Sequence, residues 1–187
     1  KFIEKQSADI VCIQEFYSNE NDEIDIKTYL KNLDKSKSSH IIFASEGNKI
    51  YKYGFATFSN FPIINKGLIK YKDDKEISIF SDINISNDTI RVYNCHLESV
   101  HLAYEDYHFI DSIGVSENNE NKLKRFGSII SKLLDAYKTR SEQAEIILNH
   151  ISTSPFPVVV CGDFNDTPVS YVYHKIRKDL EDAFVES

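Results

Sequence analysis

The sequence predicts an α/β fold, and three observations predict it. Short apolar runs rich in β-branched and aromatic residues recur at positions 10–13, 41–44, 53–59 and 158–161. Two period-two stretches, 77–85 and 90–97, are joined by the turn signal Ser86-Asn87-Asp88-Thr89 and predict an antiparallel hairpin. Between that hairpin and the last run, Phe126, Ile129, Ile130, Leu133, Leu134, Tyr137, Ala144, Ile147, Leu148 and Ile151 fall at helical spacings, so one long helix is expected over 123–151.

Taken in order, Phe2, Ile3 and Gln6 suggest a helix tail that turns at Ser7-Ala8-Asp9 into a strand over 10–13, with Gln14-Glu15 at its end. Residues 18–25 are acidic and polar, as a loop would be. Ile26, Tyr29, Leu30 and Leu33 predict a short amphipathic helix, and 35–39 a loop. Strands follow at 41–44 and 53–59, separated by the turn signal Gly47-Asn48, and Pro62 ends the second because it cannot donate to a ladder. After the hairpin, 99–121 is irregular, with a short helix expected within 101–110 and an exposed Asn118-Asn119-Glu120-Asn121. The strand over 158–161 leads to a last helix over 169–180 with Val172, Ile176 and Leu180 inward.

A chain of 187 residues, 41% hydrophobic, suffices for one domain with a real core. No run of ~18 apolar residues is present, so no membrane-spanning helix is expected, and no signal-peptide pattern is visible. The balance of 22 basic and 29 acidic residues, net −7, argues against a surface that coats polyanions and weighs against a processive duplex nuclease. A phosphate-directed site remains compatible with it if a divalent cation supplies local positive charge. Cys12, Cys95 and Cys161 lie inside apolar runs without a Cys-x-x-Cys partner and read as buried free thiols. The chain holds no methionine and opens as if in mid-helix, so a single domain over 1–187 truncated at both ends is expected.

Three predicted strands end in polar residues. Glu15 follows the first, His96 closes the second hairpin strand, and Asp163 and Asn165 follow the last in Gly162-Asp163-Phe164-Asn165-Asp166-Thr167-Pro168. Each has a plain alternative: a solvated loop carboxylate, a structural histidine, a turn built from Gly, Asn, Asp and Pro. Together they supply a carboxylate for a hard cation, an imidazole for a phosphate oxygen, and a proton acceptor beside an amide donor. Such an assembly suits phosphoester hydrolysis. His96, His101 and His108 match no zinc-ligand spacing. Arg140 falls on the apolar seam of the long helix and must be paired there, either tethering the helix to carboxylates or facing the site.

The stretches Ala8-Asp9-Ile10-Val11-Cys12-Ile13-Gln14-Glu15, Gly54-Phe55-Ala56-Thr57-Phe58-Ser59-Asn60-Phe61-Pro62-Ile63, Tyr93-Asn94-Cys95-His96-Leu97-Glu98-Ser99 and Gly162 to Pro168 resemble, in order, the endonuclease/exonuclease/phosphatase superfamily with the pancreatic deoxyribonuclease-like fold. Arg140-Ser141-Glu142-Gln143-Ala144 is similar to that family's helix before the Gly-Asp-x-Asn strand. The resemblance implies two mixed β-sheets packed as a four-layer sandwich flanked by helices, here lacking N- and C-terminal strands. It implies phosphodiester hydrolysis with Mg²⁺ or Mn²⁺. By match, Glu15 would be the metal ligand, His96 would bind the scissile phosphate, Asp163 would activate water and Asn165 would stabilise the transition state. His96-Leu97-Glu98-Ser99 also looks like the tyrosyl-DNA phosphodiesterase branch but selects no substrate, so nucleic acid, phospholipid, inositol phosphate and small nucleotides stay open, with no protein partner implied. The family's first-strand asparagine and its closing Ser-Asp-His have no counterpart in this sequence. The alternatives are therefore an inactive member that binds a ligand or partner, or a small interaction domain. Oligomeric state and compartment are left open.

Overall fold

A computed structural model of the chain describes residues 2–19, 38–43, 51–72, 75–111, 120–183 and 185. The expected helix at 26–33, the turn at Gly47-Asn48 and Asn118-Asn119 lie outside the described residues. The chain forms two compact units, Lys1–His96 with Glu145–Phe164, and Leu97–Ala144 with Asn165–Ser187.

The first unit holds two sheets. Helix α1 (Phe2–Gln6) precedes β1 (Ile10–Asn19), β2 (Ser38–Phe43) and β3 (Tyr51–Ser59), which pair antiparallel in the order β1-β3-β2. Strands β4 (Ile63–Lys70), β5 (Glu76–Ile85), β6 (Asp88–His96) and β7 (Val158–Asp163) form the second sheet in that order, with only β6 and β7 parallel. Ser86 and Asn87 both take positive φ, 52° and 85°, as a two-residue primed turn requires between twisted strands.

Because side chains alternate across a strand, each sheet has two faces to cover. Phe16, Ala56 and Phe58 pack on the outer face of the first sheet with Val11, Ile13 and Ile3 of α1. Thr57 and Phe55 point the other way, toward the second sheet. There Asn94 of β6 donates to Thr57 and to the Ala56 carbonyl, Phe55 meets the His96 ring edge-on at 6.4 Å, and His40 lies 3.1 Å from Ser81. The outer face of the second sheet receives the end of the long helix α3 (Glu120–Ser152), where the Tyr93 hydroxyl lies 2.8 Å from Nδ1 of His150. The same face buries a bidentate pair, with Arg91 Nε and Nη2 at 2.6 and 2.8 Å from the Asp82 carboxylate. The layers run helix, sheet, sheet, helix.

In the second unit, helix α2 (Tyr104–Asp111) buries Asp106, whose carboxylate receives Lys132 of α3 at 2.6 Å. Helix α4 (Tyr171–Arg177) buries Val172 and Ile176 and is capped by Ser170, whose hydroxyl accepts from the Tyr173 amide at 3.1 Å.

Several boundaries differ from the expected ones; the last helix covers Tyr171–Arg177 and leaves Leu180 outside it. Strand β1 does not stop at Ile13 but continues to Asn19, and β2 begins at Ser38 inside the expected loop. Glu120 and Asn121 open helix α3 instead of lying in a loop. Strand β4 was not signalled at all, because Asn65, Lys66 and Gly67 interrupt its apolar pattern and its register shifts twice against β5.

Candidate functional site

Glu15 does not follow a strand end. It sits in a β-bulge. Ile13 pairs with Ala56 and Phe16 with Gly54, so Gln14 and Glu15 together oppose Phe55 alone. The extra residue reverses the parity of the strand. Ile13 and Phe16, three apart, therefore both reach the outer apolar cluster, which unbroken alternation would forbid. Glu15 occupies the left-handed region at φ 49°, an uncommon place for a residue with a long side chain. Its side chain is 76% exposed, and Oε1 lies 3.8 Å from Nε2 of His96.

His96 ends β6 and is the register partner of Asp163, which ends β7. The parallel ladder thus sets these two strand ends side by side. Gly162 makes this pairing possible. Its φ is 153°, and a Cβ there would come 2.0 Å from the Cys95 carbonyl oxygen. The first unit therefore brings Glu15, His96 and Asp163 together, His96 and Asp163 from two strand ends and Glu15 from the bulge inside β1.

Asn165 lies two residues on, in the second unit, at φ 50°, a conformation asparagine tolerates. Its side-chain amide donates to the Leu97 carbonyl at 2.9 Å. Arg140 is the organiser of this unit. Fully buried, it donates through Nε to Asp166 at 3.1 Å and through Nη1 to the Glu98 carbonyl at 3.0 Å. One helical turn on, Gln143 accepts from the Glu98 amide at 2.8 Å. Arg140 is thus a tether, the first of the two readings its seam position allowed. It fixes the loop after His96 and the loop that carries Asn165 to one helix. Of the other histidines, His101 lies 2.9 Å from Glu98 and His108 packs on Tyr104.

Two residues escaped the sequence reading. Asn94 is fully buried and bonds to the bulge of β1, and Gln14 is its partner. A polar residue on the stripe of Ile90 and Val92 was the available signal. The three thiols are free, with Cys95 buried and Cys12 and Cys161 half-buried. Burial pushes the Cys95 thiol up to about 12.

Glu15 offers a hard oxygen donor, the ligand type that Mg²⁺ and Mn²⁺ prefer. Among the described residues no three His, Cys, Asp or Glu side chains form a cage. The donor set suits a cation that keeps most of its waters and takes one or two carboxylates, which is the habit of Mg²⁺.

Solved structures similar to this one include the following three. An endonuclease/exonuclease/phosphatase family protein from Leptotrichia buccalis superposes with TM-score 0.51 at 16% identity, over 95% of this chain and 64% of its own. Sphingomyelinase C from Streptomyces griseocarneus gives 0.56 at 16% identity, over 93% and 57%. A beta toxin variant from Staphylococcus aureus with bound magnesium ions gives 0.56 at 16% identity, over 96% and 62%. At such identities the likeness is one of fold. The chain spans less than two thirds of the length of each. No curated protein sequence matches it. The model of the Endonuclease/Exonuclease/phosphatase family matches residues 1–185, and the chain belongs to that family.

Proposed function

We propose that this chain carries the phosphate-handling residues of a divalent-metal-dependent phosphodiester hydrolase. The observation that supports it best is the cluster of Glu15, His96 and Asp163, with 3.8 Å between the first two and the last two paired in register. In this reading Glu15 holds Mg²⁺ or Mn²⁺, as a structure of similar fold is described with bound magnesium ions. The cation, when bound, offsets charge on the phosphate.

The remaining work falls to the side chains. His96 donates a hydrogen bond to a non-bridging phosphate oxygen. Asp163 orients a water opposite the leaving oxygen and takes its proton as the water oxygen bonds to phosphorus. The bond from phosphorus to the leaving oxygen breaks in line, and that oxygen departs with the electron pair. Asn165, oriented by the Leu97 carbonyl, provides a neutral donor to the charge that builds on the phosphate.

The test is hydrolysis of bis-p-nitrophenyl phosphate by the full-length protein with Mg²⁺ or Mn²⁺, beside Asp163→Ala. Loss of a positioned acid–base group should cost about 10²–10⁴-fold in rate. Equal rates for the two proteins would refute the mechanism. A panel of nucleic acid, phospholipid, inositol phosphate and small-nucleotide diesters then selects the substrate.

A further inference from the structure

We infer that Asn94 is a positioning residue for Glu15, holding the β1 bulge in the one shape that presents the Glu15 carboxylate. The inference rests on the proposed role of Glu15 as a cation ligand. A bulge with a non-glycine residue in the left-handed region persists only where its surroundings over-determine it. Here the surroundings are the β3 ladder on either side and one buried side chain that reaches the bulge from the other sheet. Asn94 projects from β6 with no exposed surface. Its Nδ2 donates to the Ile13 carbonyl at 3.2 Å and to the Ala56 carbonyl at 3.0 Å, and lies 3.4 Å from the Thr57 hydroxyl. Its Oδ1 accepts from Gln14 Nε2 at 2.7 Å.

These partners define the bulge. Ile13 and Ala56 are the last register pair before it, and Gln14 is its first residue. Both amide protons and the carbonyl oxygen of Asn94 are thereby engaged, as a buried amide requires. An apolar side chain of the same size would cover the same surface but leave the bulge without its donor. Asn94 also lies two residues from His96 on the same strand face. One strand therefore carries the imidazole and, through Asn94, fixes the carboxylate 3.8 Å from it.

The experiment is Mn²⁺ binding to the folded full-length protein, followed by electron paramagnetic resonance of the free ion, for wild type, Asn94→Ala, Gln14→Ala, Glu15→Gln and His40→Ala. The last removes a hydrogen bond between the sheets, to Ser81, that involves neither Asn94 nor the bulge residues. Support groups around a metal ligand typically affect affinity by about 10–100-fold. That loss is expected for Asn94→Ala, with a smaller one for Gln14→Ala and none for His40→Ala. A residue that only stabilised the fold would leave the affinity of the folded fraction unchanged. If Glu15→Gln loses the ion while Asn94→Ala and Gln14→Ala bind as wild type does, the inference is overturned and the proposed function stands. If Glu15→Gln binds as wild type does, both fall. Should Asn94→Ala not fold, Gln14→Ala decides: weakened binding supports the inference and wild-type affinity overturns it.

Discussion

Arg140 and Asp166 form a buried ion pair, with Nε 3.1 Å from Oδ2 and side chains 1% and 4% exposed. Removing one partner of such a pair strands the other charge, at a cost of about 3–5 kcal/mol. Arg140→Met should lose that much in urea unfolding, and more than Arg140→Met combined with Asp166→Leu, because the double variant leaves no stranded carboxylate. A double variant less stable than the single would show that the other bond of Asp166, accepted from the Thr167 amide at 2.9 Å, outweighs the relief of the stranded carboxylate.

Gly162→Ala should separate the ends of β6 and β7. The added methyl would meet the Cys95 carbonyl at 2.0 Å in a backbone conformation that side chains rarely adopt. The expected loss of stability exceeds about 2 kcal/mol. Hydrolysis of the test diester should fall further than the folded fraction does, because His96 and Asp163 lose their register. Wild-type rates in the folded variant would argue that the pairing is not needed.

His40 makes the protein sensitive to mild acid. Burial is the main cause that lowers its pKa to about 4 from an ordinary 6.5, the charge of Lys66 adds to it, and a hydrogen bond with the Phe80 backbone opposes it. The folded protein holds His40 neutral while the unfolded chain takes up a proton below 6.5. Stability from this residue is therefore complete above 6.5 and declines as pH falls toward 4. The loss across that window reaches roughly 2–3 kcal/mol. Urea unfolding at pH 7 and pH 5 should show a larger difference for wild type than for His40→Gln.

A second acid transition belongs to Asp82. Burial pushes its carboxyl up, but hydrogen bonds from Arg91 and Asn65 and the charge of Arg91 outweigh this, and the net direction is down from 3.8. The unfolded chain therefore binds this proton first. The stabilisation is present above 3.8 and is lost as pH falls through the lower folded value. Asp82→Asn should be less stable than wild type at pH 7, and the gap should narrow below pH 3.8.

The elements with an unbroken period were legible in the sequence. The β5–β6 hairpin and the helix over 123–151 could be read from spacing alone, because one covered face imposes one repeat. The bulge at Gln14-Glu15 could not, since its sole trace is a change of parity that needs the partner strand to be seen. Strand β4 escaped because its central residues are exposed and charged or small. Glu15, His96 and Asp163 were legible as polar ends of apolar runs. Asn94 showed only as a polar residue on the stripe of Ile90 and Val92; its role is set by carbonyls of another sheet, which that local pattern does not encode.

The parallel pairing of β6 with β7 also fixes when the site can come into being. Cys161 and Tyr93, bonded across that ladder, are 68 residues apart, and Ile13 and Asn94 are 81 apart. The β5–β6 hairpin closes over a two-residue turn and can form within microseconds. Contacts of long sequence separation must await the closure of large loops, whose entropy is lost before any pairing repays it. A nascent chain that has not yet released β7 from the ribosome holds Glu15 and His96 but no Asp163 beside them. Assembly of the site is therefore a late event in folding, and the rate at which hydrolysis appears during refolding should track that final docking and not the early burst of secondary structure.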